Sequence, residues 1–237
     1  MKTLQGKKAL VLGGSRGIGA SIVKRLAQDG AEVVFTYRSS AEAANKLASE
    51  VRGKAVRADS AKRQKVSAVI AAQGSLDILV INAGVIVVGD PLTLDPRKID
   101  RLIDINVRGP YHAAVDGARS MKSGGRIVVI GSVNGDCMPF PGAAAYALSK
   151  SAIQGMVRGL ARDFGPRGIT VNNVQPGPVD TQMNPESGPM AGTMHSLMAI
   201  KRYIKPDEIA GLVAYLVGPE AAMITGAQHT IDGGFGA

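Results

Sequence analysis

Tyr146 and Lys150 stand four residues apart, fourteen and eighteen residues after Ser132, in a chain whose first fifth carries the run Gly13, Gly14, Ser15, Arg16, Gly17, Ile18, Gly19. A phenol serves as acid or base near neutrality only with help, because free tyrosine has a pKa of about 10. On a helix, positions i and i+4 point the same way, so Lys150 can set its ammonium beside the Tyr146 hydroxyl and favour the phenolate by charge attraction. Ser132 adds a second hydroxyl. Hydride delivery to a carbonyl builds negative charge on oxygen, and donors fixed on that oxygen act where the charge develops. A positioned acid contributes typically ~10²–10⁴-fold. Ser132 and Tyr146 are the natural donors for such a reaction.

The glycine run follows a short apolar segment, residues 9–12, and opens a helix expected over about 17–28. That context suits a phosphate-cradling turn: glycines let the backbone approach a pyrophosphate, and the helix start offers free N–H groups and a positive dipole end. Cofactor choice turns on the end of the second strand, where a carboxylate would bond the 2′-hydroxyl of NAD and repel a 2′-phosphate. This chain has Thr36, Tyr37, Arg38 and Ser39 there, with no carboxylate before Glu42. Arg38 and Arg16 can clamp a phosphate as charge-assisted donors. NADP(H) is expected.

The elements that must position these groups follow from periodicity. Short apolar runs recur at 9–12, 33–37, 54–58, 78–81, 126–130, 170–174 and 228–231, separated by longer segments of helical spacing. Such alternation implies parallel strands joined by right-handed helical crossovers. The expected fold class is α/β: one doubly wound Rossmann domain over residues 1–237, about seven parallel strands with helices on both faces. Ligands then bind beyond the carboxyl ends of the strands. The stretch 176–206 is rich in Pro and Gly, and within it residues 178–205 are expected to form a flexible substrate lid with a short helix near 194–200. Met190, Met194 and Met198 have helical spacing and suit the lid's apolar face.

Composition narrows the class. The chain is 45% hydrophobic and 4% aromatic with no Trp, so its core is aliphatic, as a buried parallel sheet requires. Cys137 is the only cysteine, which excludes an intrachain disulfide and argues against a metal cluster; a reducing cytoplasm fits. Lys2, Lys7 and Lys8 precede an apolar run too short for a signal-peptide core. The longest apolar stretch, residues 78–88, is interrupted by Asn82 and Gly84, short of the roughly 20 residues of a membrane helix. No membrane partner is expected. Net charge is +9, with a cluster at Arg52, Lys54, Arg57, Lys62, Arg63 and Lys65 that is either a solvated face or an attractor of phosphorylated ligands. No nucleic-acid motif accompanies it. His112 and His195 are isolated and read as surface or core residues.

Taken together, Gly13-x3-Gly17-x-Gly19, Asn82-Ala83-Gly84, Asn106, Ser132, Tyr146-x3-Lys150 and Pro176-Gly177 resemble the short-chain dehydrogenase/reductase family along essentially the whole chain. The resemblance implies that Ser132 holds the substrate oxygen, Tyr146 is the general acid/base, Lys150 also binds the nicotinamide ribose and Asn106 anchors a water in the proton relay. It implies that Asp59 bonds the adenine amino group and that Thr181, in the segment Pro176, Gly177, Pro178, Val179, Asp180, Thr181, bonds the nicotinamide carboxamide. It also implies a homo-oligomer, dimer or tetramer, and a carbonyl reductase similar to 3-oxoacyl-carrier-protein reductases. Segments such as residues 131–136, 165–170, 195–202 and 229–233 are similar to a branch of the family that binds cyclic di-GMP and promotes biofilm dispersal. That regulatory reading is the alternative. Two departures stand out: Leu12 replaces the Thr common before the glycines, removing a local hydrogen bond. The fourteen-residue spacing from Ser132 to Tyr146 exceeds the commoner thirteen, which requires one extra residue in the loop 134–144.

Overall fold

The computed structural model describes residues 3–237, so Lys2 lies outside the described residues. Seven strands alternate with helices. The strands are β1 (Lys8–Leu12), β2 (Glu32–Tyr37), β3 (Lys54–Arg57), β4 (Ile78–Ile81), β5 (Arg126–Ile130), β6 (Thr170–Pro176) and β7 (Gln228–Ile231). The helices are α1 (Gly17–Gln28), α2 (Ala41–Glu50), α3 (Arg63–Ala71), α4 (Pro96–Ile103), α5 (Gly109–Ser120), α6 (Ala144–Phe164), α7 (Ala191–Leu197) and α8 (Pro206–Val217). The sheet runs β3-β2-β1-β4-β5-β6-β7, and every neighbouring pair is parallel.

The pleat explains why the strands read as unbroken apolar runs. Ala9, Val11, Ile78, Val80, Val128 and Ile130 point into one core, covered by α1, α2 and α8. Leu10, Leu12, Leu79, Ile81, Ile127 and Val129 point into the other, under α3, α5 and α6. Both faces are buried, so neither can be polar. The strand order reverses between β1 and β4, which opens a crevice at their carboxyl ends. The glycine run, Asn82-Ala83-Gly84 and Ser132 all leave the sheet at that edge.

Three local features bear on the site. Between α4 and α5 the helix widens into a π turn over Asp104–Arg108, where the Gly109 N–H reaches back five residues to the Asp104 carbonyl. Such turns recur at functional sites. The stretch 178–205 closes on itself at its base: Val179 pairs with Ile204, the Asp180 N–H bonds the Ile204 carbonyl and the Ile204 N–H bonds the Pro178 carbonyl, both at 2.9 Å. Its helix is α7, three residues earlier than the spacing at 194–200 predicts. Met198 leaves the helix in extended geometry because the Gly233 carbonyl captures the Ile200 N–H at 2.9 Å, a long-range contact that overrides local periodicity. Met194 and Met198 are buried as expected, while Met190 is exposed. Among the described residues no helix is long and apolar enough to cross a membrane.

Candidate active site

The glycine turn is shaped by its neighbours. Gly13 and Gly17 have φ of +82° and +52°, the left-handed region that favours glycine. A Cβ on Gly13 would stand 2.9 Å from the Ala83 Cα, and one on Gly19 would strike the Gly13 carbonyl. The Asn82 amide donates to that carbonyl at 2.7 Å, and the Gly13 N–H donates to the Thr36 hydroxyl at 2.9 Å. Thr36 on β2 thus supplies the rigidity that Leu12 withholds. Sequence reading missed it because the contact crosses strands. Helix α1 starts at Gly17 with no side-chain cap, so its first N–H groups beside Ser15, Arg16 and Ile18 face the crevice edge unshielded by a capping side chain.

At the end of β2, Arg38 and Ser39 are exposed, and the Arg57 Nε donates to the Arg38 carbonyl at 3.2 Å. Arg16 and Arg38 pair with no carboxylate among the described residues. Asp59 accepts from the Ala61 N–H at 3.0 Å and meets Arg101 at 3.4 Å. Partial burial raises its pKa, yet that backbone bond and the charges of Arg101 and Arg38 outweigh it, leaving the carboxyl below its usual range.

The predicted chemical residues meet at one place. Tyr146 and Lys150 rise from the first turns of α6, and Ser132 follows β5. Burial pushes the Tyr146 phenol up, and the nearby Ser132 hydroxyl pulls it partly back down. Burial lowers the Lys150 ammonium to about 8. Its Nζ donates to the Ile130 carbonyl at 3.1 Å and lies 5.7 Å from the centre of the Tyr146 ring. Lysine attraction is therefore not what dominates the phenol here; loss of water does. The Ser132 Oγ accepts from the Asn134 N–H at 3.1 Å, which fixes its rotamer.

Asn106 sits in the π turn, buried, and its side chain is fully engaged. Its Oδ1 accepts from the Val85 N–H at 2.9 Å, and its Nδ2 donates to the Val85 carbonyl at 2.8 Å and to Ser149 Oγ at 3.0 Å. Ser149 donates in turn to the Tyr146 carbonyl at 2.7 Å, so this serine between the two catalytic candidates ties α6 to the π turn. Nothing in the sequence marks it. Gly84 lies beneath the group: a Cβ there would stand 3.6 Å from both Asn106 Oδ1 and Lys150 Nζ.

Thr181 reaches back across the crevice, its methyl carbon 3.3 Å from where a Cβ on Gly17 would stand. Pro176 ends β6, the Gly177 N–H bonds the Ile231 carbonyl at 3.0 Å, and Val179 is buried at the base of the stretch 178–205. The two histidines stand apart from this group. His195 bonds Glu186 at 3.0 Å within the stretch 178–205, and His112 lines a groove of α3 and α5 with Arg63 and Asp116.

Comparisons with known proteins agree with this geometry. The family model described as enoyl-(acyl carrier protein) reductase matches residues 13–236. A cyclic-di-GMP-binding biofilm dispersal mediator protein of Escherichia coli K12 is 61% identical over 237 residues, all of both chains. A crystal structure of BdcA in complex with NADPH superimposes with a TM-score of 0.98 at 61% identity, covering 99% of this chain and 96% of that one. A short-chain dehydrogenase from Burkholderia cenocepacia J2315, in complex with NADP, does so at 0.96 and 48% identity, covering 99% and 100%. Likeness this close over full length, in sequence and in the sheet that carries the motifs, makes the chain a member of the short-chain dehydrogenase/reductase family of oxidoreductases.

Proposed function

We propose that this chain reduces a carbonyl to an alcohol with NADPH, and that Tyr146 gives the proton. The observation that carries the reading is the Ser132 hydroxyl near the Tyr146 phenol, beside a buried Lys150 whose Nζ lies 5.7 Å from the centre of the Tyr146 ring. Two relatives of this fold are solved with NADPH or NADP. The residues fit that cofactor: a glycine turn held open by positive φ, an uncapped helix start, and Arg16 and Arg38, which form no salt bridge among the described residues, with no carboxylate in the chain between Tyr37 and Ala41. NADPH, when bound, supplies the hydride.

Gly13, Ser15, Gly17, Ile18 and Gly19 would hold the pyrophosphate, Arg16, Arg38 and Ser39 the 2′-phosphate, and Asp59 the adenine. Asn82, Ala83, Gly84, Pro176, Gly177, Val179 and Thr181 would line the nicotinamide half. An ammonium has three donors; Lys150 gives one to Ile130 and keeps two for ribose hydroxyls and for the charge beside Tyr146. Ser132 and Tyr146 donate to the substrate oxygen, strengthening as charge develops on it. Because the Asn106 side chain is committed to Val85 and Ser149, its part in proton relay falls to its main-chain carbonyl. The test is NADPH oxidation with a panel of 3-oxo thioesters, diketones and enoyl thioesters. Turnover of carbonyls and not of carbon–carbon double bonds supports the reading; the reverse pattern overturns it.

A second reading rests on the full-length relative whose name gives cyclic di-GMP as its ligand. In it this chain binds cyclic di-GMP in the same crevice, its phosphates taking the partners proposed for the pyrophosphate and 2′-phosphate, and promotes biofilm dispersal with the reductase site retained. Calorimetric titration with cyclic di-GMP should give heat in cofactor-free protein and little with saturating NADPH. Binding indifferent to NADPH would move the ligand elsewhere. The chain is proposed to act in the cytoplasm as a dimer or tetramer joined through α5 and α6, where Tyr111 and Leu148 expose 47% and 61% of their surface.

A further inference from the structure

The longer loop between Ser132 and Tyr146 contains a carboxylate that the chemistry above does not use. Asp136 ends the turn Val133–Gly135, and its two oxygens face two amides. Gln154 Nε2 donates to Oδ1 at 2.6 Å, and Gln175 Nε2 donates to Oδ2. Gln154 stands one helical turn beyond Lys150 on α6. Gln175, fully buried on β6, immediately precedes Pro176.

A carboxylate only accepts, so both amides must turn their N–H groups toward it. That orientation leaves Gln175 Oε1 to accept from Asn173 Nδ2 at 3.0 Å, and Asn173 Nδ2 donates also to Gln228 Oε1 at 2.6 Å. One charge thereby orients a chain of amides from the Ser132 turn across β6 to β7. Bonds to an ionised acceptor are roughly twice as strong as neutral ones. The same turn is seated on α6 by its backbone: Ser151 Oγ donates to the Gly135 carbonyl at 2.6 Å, and a Cβ on Gly135 would stand 2.9 Å from Gln154 Nε2 and 3.0 Å from the Lys150 carbonyl carbon.

We propose that Asp136 is a positioning residue of the catalytic centre. It locks three elements in one register: the turn carrying Ser132, the helix carrying Tyr146 and Lys150, and the strand that delivers the segment Pro176 to Thr181. The extra loop residue is absorbed without loosening Ser132 against Tyr146. The catalytic part of this inference rests on the reductase reading.

The experiment compares Asp136→Ala, Asp136→Asn, Gln175→Leu and the double variant Asp136→Ala/Gln175→Leu, below their melting temperatures. Amide hydrogen exchange and turnover on the carbonyl panel are both read. Asp136→Ala should speed exchange in residues 132–137 and also in 177–181, which it does not touch. It should lower kcat about ten- to a hundredfold, as displacement of a reacting group by ~1 Å does. Asp136→Asn, which keeps one acceptor, should lie between wild type and Asp136→Ala. The double variant should be no slower than Asp136→Ala. Wild-type exchange in 177–181 together with wild-type kcat, or strictly additive losses in the double variant, overturns the proposal. A wild type that reduces no carbonyl counts against the reductase reading alone, and the exchange data still decide whether Asp136 couples the three elements.

Discussion

The Thr36 hydroxyl on β2 accepts the Gly13 N–H of the neighbouring loop at 2.9 Å, so the glycine turn is braced from the adjacent strand and not from its own. Thr36→Val keeps the shape and leaves that N–H unpaired, which costs about 1–3 kcal/mol for a buried donor. The variant should unfold at lower urea and bind NADPH more weakly, and Thr36→Ser should recover both. Unchanged NADPH affinity in Thr36→Val would show that the brace is dispensable.

Removing only the phenolic proton should separate binding from chemistry. Tyr146→Phe is expected to bind NADPH with near wild-type affinity, followed by its fluorescence, while losing about 10²–10⁴ in turnover. A variant with wild-type rate would unseat Tyr146 as the acid.

Lys150 makes stability depend on pH in an identifiable window. Burial lowers it from 10.5 to about 8, so between these values the unfolded chain holds a proton that the folded chain has released. Stability therefore rises with pH across that window, by at most about 1.4 kcal/mol per unit. In Lys150→Met that rise should vanish. Urea unfolding at several pH values on either side of pH 8 checks it, and parallel curves for the two proteins would mean that the lysine stays charged in the fold.

Arg16 and Arg38 form no salt bridge among the described residues, so removing both should weaken NADPH by about ten- to a hundredfold per charge-assisted contact and leave NADH almost untouched. Titration of Arg16→Ala/Arg38→Ala with each cofactor decides this. A preserved preference would place specificity elsewhere, with Arg57 beside the Arg38 carbonyl the next candidate.

The strands were legible because burial on both faces forces continuous apolar runs, and the segments at 78–81, 126–130 and 228–231 coincide with β4, β5 and β7. Tyr146 and Lys150 were legible because helical spacing is itself a geometric statement. What escaped was long-range. Thr36 bonds a loop 23 residues away, Gln175 an aspartate 39 residues away, and the end of α7 is set by Gly233. The π turn at Asn106 leaves no mark in apolar periodicity, and its side-chain contacts to Val85 and Ser149 are long-range.

The base of the stretch 178–205, where Pro178, Val179 and Asp180 pair with Ile204, has an evolutionary consequence. Because the segment is closed at its own root, the exposed residues of 180–203 form a cassette around the buried anchors Met194, Met198 and Tyr203. Lengthening a closed loop is cheap, about 0.6 kcal/mol for each doubling. Substitutions and insertions at the cassette's exposed positions, away from Thr181 and those anchors, can therefore reshape what enters the crevice without disturbing the strands or the Ser132, Tyr146 and Lys150 group. At those positions substrate range can diverge while the fold is kept, and exchanging them between relatives is the direct way to move one without the other.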